Sequence, residues 1–272
     1  MTEEEYFALK ALSASQLKTY TIGGPYEFWK TSVFNDERKQ DEETDALVFG
    51  KLAHCMLLEP DEVEKRFLVT DWGAKSRKTK KYEDAKQANP GKTIISLEEY
   101  QKAGAMLSCL RGHPLAKEII AGSVSEQPIV WKDKATGVQM KAKIDAIKMT
   151  KYGMVVIDYK TSSDIDSLLK RAEKLQYPVQ DAVYCDAVEQ KYGTQPIEFV
   201  FIIQSNKEGE EDKICVANVN PESRQYAKLV YETAKEELAN KLKLWSETKD
   251  PNIWAAYPER MMIGYSNYYL ST

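Results

Sequence analysis

The chain has 272 residues, 43% of them hydrophobic and 29% charged, with a formal net charge of −4. It is long enough to bury a substantial core, and neither an apolar run of about eighteen residues nor a basic-then-apolar leader is present, so a cytoplasmic protein is expected. An acidic balance argues against coating nucleic acid by bulk attraction, yet it permits a local basic groove.

In chain order, Ser13 stands where an N-cap belongs, ahead of a short helix that buries Leu12, Leu17 and Tyr20. Gly23-Gly24-Pro25 breaks that helix, and Tyr26–Lys30 starts a second, aromatic-rich turn. From Asp45 a strongly apolar helix runs until Pro60, with Leu47, Leu57 and Leu58 filling much of its surface. Gly50 and His54 are four apart and share a face of it. A glycine there admits another backbone or a phosphate. A lone helical histidine is more often structural, so His54 needs a second line of support; His113, in Arg-Gly-His-Pro, has none and reads as structural. Cys55, Cys109, Cys185 and Cys215 form no C-x-x-C pair, which excludes a zinc ribbon and points to reduced, mostly buried thiols.

Between Trp72 and Tyr82, Lys75, Arg77, Lys78, Lys80 and Lys81 place five bases in seven residues. The stretch is polar and aperiodic and predicts a mobile loop. It serves either to grip phosphates, with its aromatics stacking on a frayed base, or as a solvated charge run. Ser96 then caps the first of two helical pieces reaching Ile120, with Leu97, Tyr100, Met106, Leu107 and Leu110 on the apolar side.

The pattern changes to alternation at Ser125–Trp131, Val138–Ile147 and Val155–Lys160, three strands joined by a Lys-Asp-Lys-Ala-Thr-Gly turn and a Tyr-Gly turn. In the second hairpin Asp145 and Asp158, thirteen positions apart, lie side by side on neighbouring strands. Side chains two apart share a strand face, so Asp158 and Lys160 point one way and Tyr159 the other. Two acids and an amine suit a hard divalent cation such as Mg²⁺, with the Tyr159 carbonyl as a further ligand. Water acidified by such a cation and held by Lys160 is a nucleophile for phosphodiester hydrolysis. The competing reading is that such residues are common on solvated strand ends. Glu126, at the start of the first strand, comes beside the acid pair if the register allows, and the sequence does not fix that register.

After Thr161, Ser163-Asp164 caps a helix carrying Ile165, Leu168 and Leu169, and a second helix runs from Pro178. Gln180 and Tyr184 share a face there, with Ala187 and Val188 continuing the stripe. Glu198–Gln204 reads as a strand covered on both faces, and Lys213–Asn218 as a shorter one. Ser223–Trp245 is a long amphipathic helix with Tyr226, Val230, Ala234, Leu238, Leu242 and Trp245 in line. The aromatic tail packs on the domain or on a neighbouring subunit. With no repeat or dividing linker, residues 1–272 read as a single domain, mainly helical over 1–120, with a sheet core over 121–220 and a helix and tail over 221–272.

Together these pieces resemble the PD-(D/E)xK nuclease superfamily and, within it, the exonuclease VIII (RecE) group of phage and prophage recombination exonucleases. The resemblance is carried by Ser13-Ala-Ser-Gln-Leu-Lys with Pro25-Tyr26, Gly50-x-x-x-His54 with Leu57-Leu58-Glu59-Pro60, and Glu126. It continues through Lys143-Ile-Asp145, Val156-Ile-Asp158-Tyr-Lys160-Thr161 and Gln180-Asp-Ala-Val-Tyr184, in the family's order. It implies an α/β fold, a restriction-endonuclease-like mixed central sheet flanked by helices with a helical amino-terminal portion. It implies that Asp145 and Asp158 hold the metal, that Lys160 serves the attacking water, and that His54 and Glu126 stand at the metal's edge. Gln180 and Tyr184 then lie beside the scissile strand.

For activity the resemblance implies Mg²⁺-dependent, ATP-independent 5′-to-3′ degradation of one strand of linear duplex DNA, with Mn²⁺ able to substitute. It further implies a homo-oligomer, commonly ring-shaped, that hands a 3′ overhang to a RecT-like strand-annealing protein. Related nucleases carry a cysteine just before the amino-terminal Pro-Tyr and three near the carboxy terminus; here Gly24 stands there and no cysteine follows Cys215, so no iron–sulfur cluster is expected. No GxxxxGK[ST] motif provides an ATP motor. The alternatives are a structure-specific or endonucleolytic relative, and a catalytically silent DNA-binding relative.

Overall fold

Cap chemistry and proline stops set the helices of the first half. The computed structural model describes residues 1, 3–39, 44–72 and 79–256. After α1 (Glu3–Ala8), helix α2 (Ala14–Thr31) opens on a capping box between Ser13 and Gln16 and turns sharply at Gly24, whose φ is 74° just before Pro25. Helix α3 (Asp45–Leu58) is capped by the Thr44 hydroxyl and ends before Pro60. It buries Val48, Phe49, Leu52, Ala53, Cys55 and Leu58, whereas Leu47, expected inside, is 50% exposed.

A short α4 (Val63–Arg66) leads into β1 (Phe67–Thr70), which pairs in parallel with β2 (Thr93–Ser96). Between them α5 (Lys80–Ala88) starts where a loop was expected, because the Thr79 hydroxyl accepts the Tyr82 N–H and Tyr82 is buried beneath it. A single buried anchor in a charged helix leaves no periodicity to read. Ser96 and Glu99 close a second capping box on α6 (Leu97–Gly112). Its buried residues are Ala103, Met106 and Leu110, while Leu97 and Tyr100 lie outside the core. His113 is structural: its Nδ1 accepts the Ala116 N–H and caps α7 (Pro114–Ile120).

Strands β3 (Val124–Lys132), β4 (Gln139–Thr150) and β5 (Gly153–Ser162) form an antiparallel meander. The chain then crosses through α8 (Ile165–Lys170) and α9 (Tyr177–Tyr192) to β6 (Glu198–Ser205), parallel to β5, and β7 (Ile214–Ala217) closes the order β3-β4-β5-β6-β7. Helix α10 (Pro221–Thr248) follows. One face of the sheet packs on α2, α9 and α10 through Met140, Val156, Phe199 and Phe201; the other packs on α3, α6 and α7 through Val155, Ile157, Val200 and Ile202. A mixed sheet between helical layers is the architecture expected. Along α10 the expected Ala234 and Leu238 are buried and Val230, Leu242 and Trp245 pack against the core, but in the first turns Ala227 and Tyr231 face inward and Tyr226 is exposed. Near the carboxy terminus Trp254 stacks on Trp29 of α2 at 4.5 Å, so this part of the aromatic tail packs on its own chain; residues beyond 256 lie outside the described ones.

On the α6 side of the sheet, one buried amide ties the central strands to the helix and to the loop before β7. Tyr159 points away from Asp158, and its hydroxyl donates to Gln204 Oε1 at 2.7 Å; Gln204 Nε2 in turn donates to the carbonyls of Met106 and Glu211. Gln204→Leu leaves a hydroxyl and two carbonyls unpaired, and is expected to lower the unfolding free energy by about 2–4 kcal/mol in urea titrations. A loss below about 1 kcal/mol would contradict this role.

Candidate active site

Where the carboxylates emerge, the sheet is irregular. Strands β3 and β4 pair at Ser125↔Ala146 and Gln127↔Ile144 but not between them, at Glu126 and Asp145. Glu126 has φ of 51°, the left-handed region that costs a non-glycine residue about 1 kcal/mol or more. The facing of β4 changes at the same place, since Met140, Ala142 and Ile144 enter one core cluster and Ala146 the other. Pairing of β4 with β5 begins only at Ala146↔Ile157. The residue count is equal on both strands, so the register already sets Glu126 opposite Asp145, and carried one step past Ala146↔Ile157 it sets Asp145 opposite Asp158.

The Asp145 carboxylate takes the place of a ladder partner, its Oδ2 accepting the Tyr159 N–H at 2.8 Å. His54 Nδ1 from α3 lies 3.5 Å from that oxygen. Ligand atoms of His54, Glu126 and Asp145 all fall within 4.8 Å of one another. Glu126 is also paired with Lys143 at 2.6 Å. Asp158 is fully buried beneath the group. Its Oδ1 accepts from Gln180 Nε2, and Lys160 Nζ lies against its Oδ2 as an ion pair. No donor reaches Oδ2 with hydrogen-bond geometry among the described residues. The main chain of Tyr159 also hydrogen-bonds the His54 ring.

Of the residues singled out in the sequence, His54, Glu126, Asp145, Lys160, Gln180 and Tyr184 line one cavity of about 990 Å³. Asp158 and the Tyr159 main chain lie behind its wall. Lys80 and Lys81 are exposed at the start of α5 and are not brought to the cavity; Lys75, Arg77 and Lys78 lie outside the described residues. Two lysines escaped the reading of roles although both stood inside the motifs. Lys143 shares a strand face with Asp145 and engages Glu126. Lys18, five residues after the Ser13 cap, donates to Gln180 Oε1 at 3.3 Å.

The electrostatics favour a bound cation. Burial, then the charge of Asp158, raises the Asp145 carboxyl to about 7, and burial raises Glu126 despite Lys143. His54 is driven down to about 4, first by burial and then by Lys160, and is neutral at physiological pH. Burial opposes the charge on Lys160, but attraction to Asp158 and Asp145 outweighs it and raises the amine. Crowded carboxylates beside a neutral imidazole fit a hard divalent ion.

A family described as "PDDEXK-like domain of unknown function (DUF3799)" matches residues 13–253. The chain belongs to this PDDEXK-like family. No curated protein matches it. Among solved structures it is similar to a protein of Eubacterium rectale described as a "Putative exonuclease", at 14% identity and a TM-score of 0.57, covering 90% of this chain and 86% of that one. Another, SSO0001, gives 13% identity and a TM-score of 0.38 over 90% of each chain. PDDEXK-like family membership, this fold and the acid–acid–lysine set support a nuclease. No described helix is long and apolar enough to cross a membrane.

The raised Asp145 carboxyl has a sign that titration reads. An unfolded aspartate titrates near about 3.9, so in the metal-free protein the folded state holds the extra proton, and stability falls as pH rises from about 4 to about 7. Asp145→Asn should therefore be more stable than wild type at about pH 8 and lose that advantage near about pH 4. Added Mn²⁺ should raise the melting temperature of wild type at pH of about 8 and leave the variant largely unmoved. Equal shifts in both proteins would take Asp145 out of the metal site.

Proposed function

We propose that the protein is a Mg²⁺-dependent, ATP-independent exonuclease that degrades one strand of linear double-stranded DNA. The observation that carries this reading is the meeting of Asp145, His54, Glu126 and Lys160 on one wall of a large cavity, with Asp158 behind that wall in an ion pair with Lys160. Although the chain is acidic overall, six bases, Lys18, Lys51, Arg66, Lys141, Lys143 and Lys160, outnumber the four acids Glu4, Glu59, Glu126 and Asp145 that line that cavity, a balance that suits a polyanionic substrate. The exonuclease specificity is supported by the RecE-like motif order and by the Eubacterium rectale neighbour's description.

Asp145 and Asp158 would hold the metal with the Tyr159 carbonyl, and His54 and Glu126 would complete or border its shell. When bound, the ion supplies Lewis acidity and neutralises charge on the phosphate. The remaining work belongs to side chains. Lys160 holds the attacking water and stabilises the developing negative charge through its ammonium. Gln180 fixes the rotamer of Asp158, and Tyr184, kept protonated by burial, gives the cavity a wall against which a strand can lie. The reading assigns 5′-to-3′ polarity, transfer of the 3′ overhang to an annealing protein, and a homo-oligomer in the cytoplasm.

With Mg²⁺, linear duplex should be degraded while covalently closed circles persist, and chelation should stop the reaction. Asp158→Asn should fold and bind DNA yet lose turnover by on the order of 10³-fold. Cutting of closed circles would replace the exonuclease by an endonucleolytic relative; normal cutting by Asp158→Asn would show that the site is misassigned.

A further inference from the structure

We propose that Lys18 is a second substrate-contacting cation, whose ammonium takes a non-bridging oxygen of the phosphate next to the bond being cleaved. This rests on the nuclease reading and gives a role to a residue that the acid–acid–lysine set leaves without one.

Lys18 belongs to the part of α2 that precedes the turn at Gly24, and with Ser13, Ser15 and Gln16 it lines the cavity. Its Nζ lies 5.0 Å from the centre of the Tyr177 ring, and Lys160 Nζ lies 5.9 Å from the same centre, so two ammonium groups share one aromatic ring. No carboxylate forms an ion pair with Lys18 among the described residues; its side-chain partner is the neutral Gln180 amide. Asp158, the nearest acid by its influence, is already engaged by Lys160 and Gln180. Burial, and then the charge of Lys160, push the Lys18 amine down to about 8. A half-buried ammonium beside another, with no acid of its own, is a standing cost that an incoming anion removes. An ammonium carries three donors, and the bond to Gln180 leaves the others for the cavity. Both lysines line that cavity, so a phosphate drawn toward Lys160 also lies in the field of Lys18.

A purely structural role would be narrower: by donating to Oε1, Lys18 turns the amide of Gln180 so that Nε2 faces Asp158. The two roles separate in the salt dependence of binding, because only a lost phosphate contact changes the number of ions released. Binding of a short linear duplex to the full chain is measured across salt concentrations with Ca²⁺ replacing Mg²⁺, and turnover is measured with Mg²⁺. For Lys18→Ala and Lys18→Met the slope of log affinity against log salt should shrink by about 0.7–0.9. Turnover efficiency should fall by on the order of 10- to 100-fold. Lys18→Arg should restore the slope. If the alanine variant proves less stable, Lys18→Met, which keeps the stem packed, decides. An unchanged slope in Lys18→Met overturns the phosphate contact, whatever happens to turnover. A wild-type protein that cuts no DNA would defeat the nuclease reading instead, and the slope would still settle Lys18.

Discussion

Two carboxylates on adjacent strands, one fully buried and the other nearly so, repel each other in a low-dielectric setting. The rest of the site follows from what offsets that repulsion. Asp158 has an ammonium on one oxygen and an amide on the other, while Asp145 takes a main-chain N–H at the point where the strand ladder stops. These contacts reduce the cost without cancelling it, because the Asp145 carboxyl still sits far above its ordinary range. The remaining deficit is of positive charge, which a proton on Asp145 or the proposed divalent ion would supply.

The fold is arranged to maintain this unfavourable group. Sheet and helices approach from different parts of the sequence: α3 brings His54, α9 brings Gln180 and Tyr184, α2 brings Lys18, and the irregular pair of β3 and β4 brings Glu126 and Asp145. Glu126 pays in backbone strain for its position, and the packed strands on either side hold it there. Behind the site, the Tyr159–Gln204 network anchors β5 to α6 and to the loop before β7. The side chain of Tyr159 thus belongs to the scaffold, and its main chain to the site.

Much of this was legible in the sequence, for identifiable reasons. The alternation around Asp145 and Asp158, the helical spacing of Gln180 and Tyr184, and the caps at Ser13, Ser96 and Asp164 are local signals, and local signals survive folding. The left-handed backbone at Glu126 is announced by no sequence pattern, and which residue faces it is fixed only by the pairing of β3 with β4. Helix α5 was hidden because its charged sequence buries little besides Tyr82, and the start of the α10 stripe was misplaced because apolar Tyr226 faces solvent while Ala227 and Tyr231 are buried. Lys18 and Lys143 went unassigned because a lysine's role depends on which group lies across the gap, an amide for Lys18 and a carboxylate for Lys143, and that is a property of three dimensions.

The account's central claim is that these acids form one cation site. Anomalous diffraction from crystals grown with Mn²⁺ addresses it without reference to activity. The account predicts a strong peak in contact with the carboxylates of Asp145 and Asp158, bordered by His54. Well-ordered carboxylates with no peak between them, or a peak confined to another part of the molecule, would contradict it.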